Sequence, residues 1–283
     1  MKVRVGCELE YTSQFETPML MVLRARPESR YHKTLAETRL VEPEASLETY
    51  VDLYGNEVWR ALSGPNGLRV RHDVVAEVPP TPDPVLPGLP RTPVAELPGE
   101  VMVYTLPSRY CQLELFSDDA WKLFGNIRGG WEQVQAICDW LHENIRYQTG
   151  STPATSSFEA YRERHGVCRD FAHLGVVFCR ALNIPARYVC GYLPDINVPV
   201  DPVPMDFHAW FEAFLDGDWR TFDARHNRPR TGRVLIAYGR DAVDTAFSTA
   251  YGAAQLTSMK VWADEVADDF VLPPASDHVS VNS

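Results

Sequence analysis

Residues 166–182, GVCRDFAHLGVVFCRAL, and residues 207–225, FHAWFEAFLDGDWRTFDAR, carry two different periodicities. In the first stretch Phe171, Leu174, Phe178 and Leu182 recur at helical spacing, and Asn183-Ile184-Pro185 ends the pattern. Cys168 therefore falls at the start of a helix, directly after Gly166-Val167. In the second stretch the alternation of a strand places His208, Trp210, Glu212 and Phe214 on one face. Asp216-Gly217 is a hairpin turn, because both residue types tolerate positive φ. A two-residue loop pairs Leu215 with Asp218, which sets Trp210 opposite Asp223 and His208 opposite Arg225. His208 and Asp223 then share a face as diagonal neighbours. A three-residue loop would reverse the parity and part them.

These placements define a chemical constellation. The unpaired N–H groups and positive dipole end of a helix favour a thiolate over a thiol, so the position predicts a pre-formed nucleophile at Cys168. An imidazole at His208 and a carboxylate at Asp223 complete a nucleophile, base and orienter. The other cysteines lack such a position: Cys138 and Cys179 lie on helix stripes and Cys190 lies mid-strand, which reads as packing. Cys7 and Cys111 carry no signal.

Outward from this centre, Trp131, Val134, Cys138, Leu141 and Ile145 mark an earlier amphipathic helix. Ser156-x-x-Glu159 is a capping box opening a short helix that Gly166 is expected to close. Ala186–Tyr192 reads as a strand. Residues 1–78 read as an all-β domain, with strand-like runs at Lys2–Tyr11, Met19–Arg24, Leu47–Leu53, Glu57–Leu62 and Leu68–Val78, forming a small sandwich or barrel. Residues 79–99 hold eight prolines and form an extended linker or strap. The core then covers 100–270, and 271–283 is a frayed tail.

The 283 residues carry 27 Lys+Arg against 38 Asp+Glu, a net charge of −11, which disfavours nucleic acid or an anionic membrane as partner. No apolar run approaches the ~20 residues of a bilayer span, and the first residues do not read as an export signal, so the expected compartment is the cytoplasm with reduced thiols. No HExxH, CxxC or HxH spacing supports a metal, and Asp195, Asp201 and Asp206 lack the spacing of a calcium loop. Phosphate-binding glycine motifs are missing as well.

The stretches GVCRDFAHLGVVFCRALNIPARYVCGYLPD, DFHAWFEAFLDGDWRTFDARHN and GRDAVDTAF resemble the core of bacterial transglutaminase-like proteins, relatives of animal transglutaminases and papain-type peptidases. The likeness runs over roughly 117–265, and the segment containing YVDLYGNEV resembles the β domain that usually precedes that core. The resemblance implies an α+β, papain-like fold: a helix carrying the cysteine packed on an antiparallel sheet. It also puts the family's catalytic Cys, His and Asp on Cys168, His208 and Asp223, none of them substituted. An oxyanion would be held by the Cys168 backbone N–H, with Tyr147 or Gln148 as side-chain candidates, although Tyr147 equally suits a core position. Asp170 reads as structural in the first helical turn, while Asp206 and Arg240-Asp241 are placed to line or gate the site.

The expected activity is thiol-dependent acyl transfer on amide bonds of a peptide or protein, through an acyl-thioester and without cofactor. Either water or a primary amine can be the acceptor, since both reactions use the same residues. The alternative is a catalytically silent module that binds peptide in a papain-like groove.

Overall fold

The computed structural model describes residues 1–43 and 47–273. Of the expected tail, 274–283 lie outside the described residues.

Among the described residues of the first third, six strands form: β1 (Lys2–Thr12), β2 (Thr17–Met21), β3 (Lys33–Glu42), β4 (Glu48–Val51), β5 (Glu57–Ser63) and β6 (Leu68–Glu77). β3 escapes the sequence reading because it is an edge strand with most side chains at least partly exposed, so charged residues interrupt its alternation. After the proline segment come α1 (Ser117–Phe124), α2 (Gly130–Asn144), β7 (Arg146–Tyr147), α3 (Ser157–Glu163), β8 (His165–Gly166) and α4 (Cys168–Ala181). The chain continues as β9 (Ala186–Tyr192), β10 (His208–Leu215), β11 (Asp218–Phe222), β12 (Val234–Gly239), β13 (Thr249–Ala250) and β14 (Gln255–Val266).

The β-rich region is not confined to the first 78 residues. β14 pairs antiparallel with β1 from Lys2↔Val266 to Thr12↔Gln255, giving a sheet of order β14-β1-β6-β3. β13 joins a second sheet of order β13-β2-β5-β4. Cys7, Leu9 and Val70 of the first sheet pack against Met19, Met21 and Trp59 of the second. The expected 100–270 segment thus lends its last two strands to the N-terminal sheets, a long-range pairing that local patterns do not encode.

The third sheet has the order β11-β10-β9-β12 and is antiparallel throughout. Leu215 pairs with Asp218 across Asp216-Gly217, and both turn residues have positive φ, 51° and 73°. α4 lies across this sheet, with Leu174, Phe178 and Leu182 buried among residues of α1, α2 and α3. Gly175 permits the close approach, because a Cβ there would lie 2.3 Å from Phe211 Cε1 of β10. The opposite side of the sheet meets the N-terminal region, where Tyr192, Val234 and Ile236 pack with Val3, Val5 and Val74.

α3 opens on the expected Ser156/Glu159 capping box but ends at Arg164 in the left-handed region (φ 60°), not at Gly166. Gly166 serves another purpose. A Cβ there would sit 2.6 Å from Asp170 Cβ, so only glycine leaves room for the carboxylate that caps α4.

The proline segment is laced onto the third sheet and its helices. Asp83 N–H donates to Arg230 O at 2.8 Å, Gly130 N–H to Leu89 O at 2.8 Å and Gly217 N–H to Thr92 Oγ1 at 3.0 Å. No described helix is long and apolar enough to cross a membrane.

Candidate active site

Cys168 is the first residue of α4. Asp170, fully buried, accepts the Val167 N–H at 2.9 Å and pairs with Arg169 at 3.0 Å, which holds the turn that presents the cysteine. Alone among the six cysteines, Cys168 is only partly buried. Its sulfur lies against the backbone on both sides of His208. The Phe207 carbonyl is 3.9 Å away, and the Ala209 amide points to the same atom.

His208 is the first residue of β10 and is 5% exposed. Its Nε2 stands 2.8 Å from Asp223 Oδ2. Asp223 follows directly on β11, and the hairpin register gives it the diagonal position expected from the alternation. The geometry assigns Nε2 as the protonated nitrogen, because its partner is a carboxylate; Nδ1 then carries the lone pair. Burial lowers the proton affinity of His208, and Asp223 restores it only in part. Burial would raise Asp223, but His208 and Arg233 outweigh it and hold the carboxyl well below its usual range.

Burial opposes the expected pre-formed thiolate. Burial pushes the Cys168 thiol up to about 11, against the smaller pulls of the Ala209 amide and Arg225. Burial thus disfavours both charged forms, the Cys168 thiolate and the His208 imidazolium.

Around this centre, Tyr147 is half exposed on the short strand β7, which pairs with β8 just ahead of Cys168. The Arg225 guanidinium lies 3.9 Å from its ring centroid, so Tyr147 is not a core residue. Gln148 is exposed, and its N–H donates to Gly166 O at 3.0 Å. Asp206 is exposed, accepts from Phe207 N–H at 2.7 Å and adds negative charge beside Cys168 and His208. Arg240 and Asp241 are engaged differently from the expected gate. Arg240 pairs with Asp244 at 3.0 Å, while buried Asp241 accepts the Tyr110 N–H at 2.9 Å and the Val243 N–H at 2.9 Å. The remaining five cysteines are buried.

The sequence reading passed over Arg225, His226, Arg230 and Arg233. Arg225 stood in plain view as the residue opposite His208 in the register. The others lie in a dense basic run, 225–233, whose folding back onto His208 and Asp223 is a tertiary event. His208, Asp223 and His226 offer possible ligand atoms within 4.8 Å of one another. The donor set nevertheless suits a metal poorly. Asp223 Oδ2 already accepts Arg233 Nη2 at 3.1 Å, and Arg230 Nη1 sits 3.1 Å from His226 Nε2. A metal ion would have to settle between two permanent cations.

The family model described as the transglutaminase-like superfamily matches residues 122–224, a span containing Cys168, His208 and Asp223. A crystal structure of a candidate cysteine protease from Cytophaga hutchinsonii is 35% identical, with a TM-score of 0.85, covering 98% of this chain and 94% of that one. An uncharacterized protein of Mycobacterium leprae is 36% identical over 117 residues, which are 40% of this chain and 42% of that protein. One from Mycobacterium tuberculosis is 28% identical over 127 residues, 40% of this chain and 39% of its own length. This chain therefore matches about two fifths of the length of these curated mycobacterial relatives.

Proposed function

This chain belongs to the transglutaminase-like superfamily, and we infer that it is a thiol-dependent acyltransferase or hydrolase of amide bonds, with Cys168 as nucleophile, His208 as base and Asp223 as its orienter. One observation carries this reading. The only partly exposed cysteine opens a helix against the first residues of the strand whose histidine is bonded to a buried carboxylate.

With Nε2–H held by Asp223, the lone pair of His208 on Nδ1 receives the Sγ proton as sulfur attacks the amide carbonyl carbon. The Cys168 N–H at the helix start is the main oxyanion donor, with Tyr147 or Gln148 as the side-chain donor. The C–N bond breaks, and the proton on Nδ1 leaves with the amine. A thioester remains on Cys168. Water or a primary amine then attacks it, delivers a proton to His208, and releases the acyl group as carboxylic acid or new amide while Sγ takes the proton back. A peptide or protein amide is the substrate class.

Intact-mass analysis tests the reading. Incubation with a peptide carrying a reactive glutamine amide or ester, quenched in acid, is expected to leave an acyl adduct on Cys168 that Cys168→Ala abolishes. Adding a labelled primary amine separates amide from acid as product. Peptide binding without any adduct or turnover would favour the silent module instead.

A further inference from the structure

The charge behind His208 extends past Asp223. Asp223 Oδ2, which meets His208 Nε2 at 2.8 Å, also accepts Arg233 Nη2 at 3.1 Å. The Nε of the same guanidinium reaches Asp83 Oδ2 at 2.9 Å and Oδ1 at 3.2 Å. Asp83 belongs to the proline segment and is fixed from both directions: its N–H donates to Arg230 O at 2.8 Å, and Arg230 N–H donates to its Oδ2 at 3.1 Å. The Arg233 side chain is 1% exposed. Its guanidinium carbon lies 4.8 Å from the centroid of Trp210, whose ring stacks on His208 at an interplanar angle of 20°.

A guanidinium is planar, permanently charged and able to hold two acceptors in one fixed fork. Here that fork spans a strap residue and the orienting carboxylate. We propose that Asp83 and Arg233 are positioning residues for the His208–Asp223 pair, making the proline segment a working part of the site. The proposal rests on the reading of His208 as the base.

The charged and titratable groups facing His208 are Asp223, Arg225, His226 and Arg233 from the segment after β11, Asp206 ahead of β10, and Cys168 from α4. Asp83 acts on this set through Arg233. Removing the positive charge of Arg233 strengthens proton binding at His208. Removing the negative charge of Asp83 leaves Arg233 uncompensated and weakens it. A merely structural role would not produce opposite signs.

The test is the imidazole titration of His208, followed by NMR on the full-length protein with labelled histidine and assigned with His208→Gln. Arg233→Met is expected to raise the midpoint and Asp83→Asn to lower it, each by roughly 0.5–2 pH units. Arg233→Lys keeps the charge and should stay near the wild type. Shifts of the same sign, or none, overturn the proposal. If Arg233→Met does not fold, the other two variants decide: a lowered midpoint in Asp83→Asn with little change in Arg233→Lys supports it, and any other pattern overturns it. Opposed shifts in a protein without Cys168-dependent turnover would defeat the catalytic reading and leave the positioning relation intact. Turnover with unmoved midpoints would do the reverse.

Discussion

His208 Nε2 and Asp223 Oδ2 lie 2.8 Å apart because a two-residue turn sets the parity of the hairpin between them. With the ring anchored there, Nδ1 is the nitrogen left free, the one the proposed reaction uses as base. Asp223→Asn removes the charge and lets a carboxamide N–H face the ring, favouring the wrong tautomer. Turnover on a peptide amide is expected to fall by ~10³–10⁴ with KM little altered, as read by steady-state kinetics. An unchanged near-UV spectrum would show the fold intact. Undiminished turnover would remove Asp223 from the reaction.

Cys168 is partly exposed where the other five thiols are buried, yet burial still disfavours its thiolate. Iodoacetamide should therefore modify Cys168 first. Its rate should climb ~10-fold per pH unit between pH 7 and 9, since the reactive thiolate is a minor form until about 11. Peptide mapping across that range checks both statements. A rate already flat at pH 7 would mean that His208 holds a thiolate ion pair.

The helix that presents Cys168 and the hairpin that joins His208 to Asp223 were legible because both are local: side-chain periodicity and one turn specify them. What stayed hidden depends on distant partners. β14 has its partner at the opposite end of the chain, and β3 lies at a sheet edge where charged residues suffice. The same holds within the site. The Asp83–Arg233 contact spans 150 positions, and neither residue carries a mark that predicts the other. The burial around Cys168 stayed hidden for a related reason: a helix start is visible in sequence, whereas the protein packed over the sulfur is not.

Gly175 and Phe211 couple the two elements that carry Cys168 and His208. A methyl at Gly175 gains up to ~1 kcal/mol of helix propensity. It also meets the Phe211 ring, which an overpacked core answers with a penalty of ~1–3 kcal/mol. Gly175→Ala is expected to lower stability in urea by about 1–2 kcal/mol and to reduce turnover further, as α4 is pushed off β10. Phe211→Leu in the same chain should restore part of both. Equal losses in the single and double variants would show that the contact does not couple them.

His173 makes the fold sensitive to acid. It is fully buried, lies 4.9 Å from the Tyr110 ring centroid, and its Nε2 accepts the Ala242 N–H at 3.1 Å. An acceptor nitrogen must be unprotonated, and burial lowers this group to about 3. Burial likewise lowers His226 to about 3 and His32 to about 4. In the unfolded chain each titrates near ~6.5, so below that value the unfolded state binds more protons and stability falls as pH drops toward the folded values. Most of the loss should appear between about pH 6.5 and 4. At pH 4.5 a single buried neutral histidine accounts for on the order of 2 kcal/mol. His173→Gln offers an amide oxygen to the Ala242 N–H without a titratable proton. Its unfolding free energy should therefore decline less steeply over this window, even if it starts lower at pH 7. Urea melts of both proteins at pH 7, 6, 5 and 4.5 give the slopes, and parallel lines would show that His173 is not a source of the acid lability.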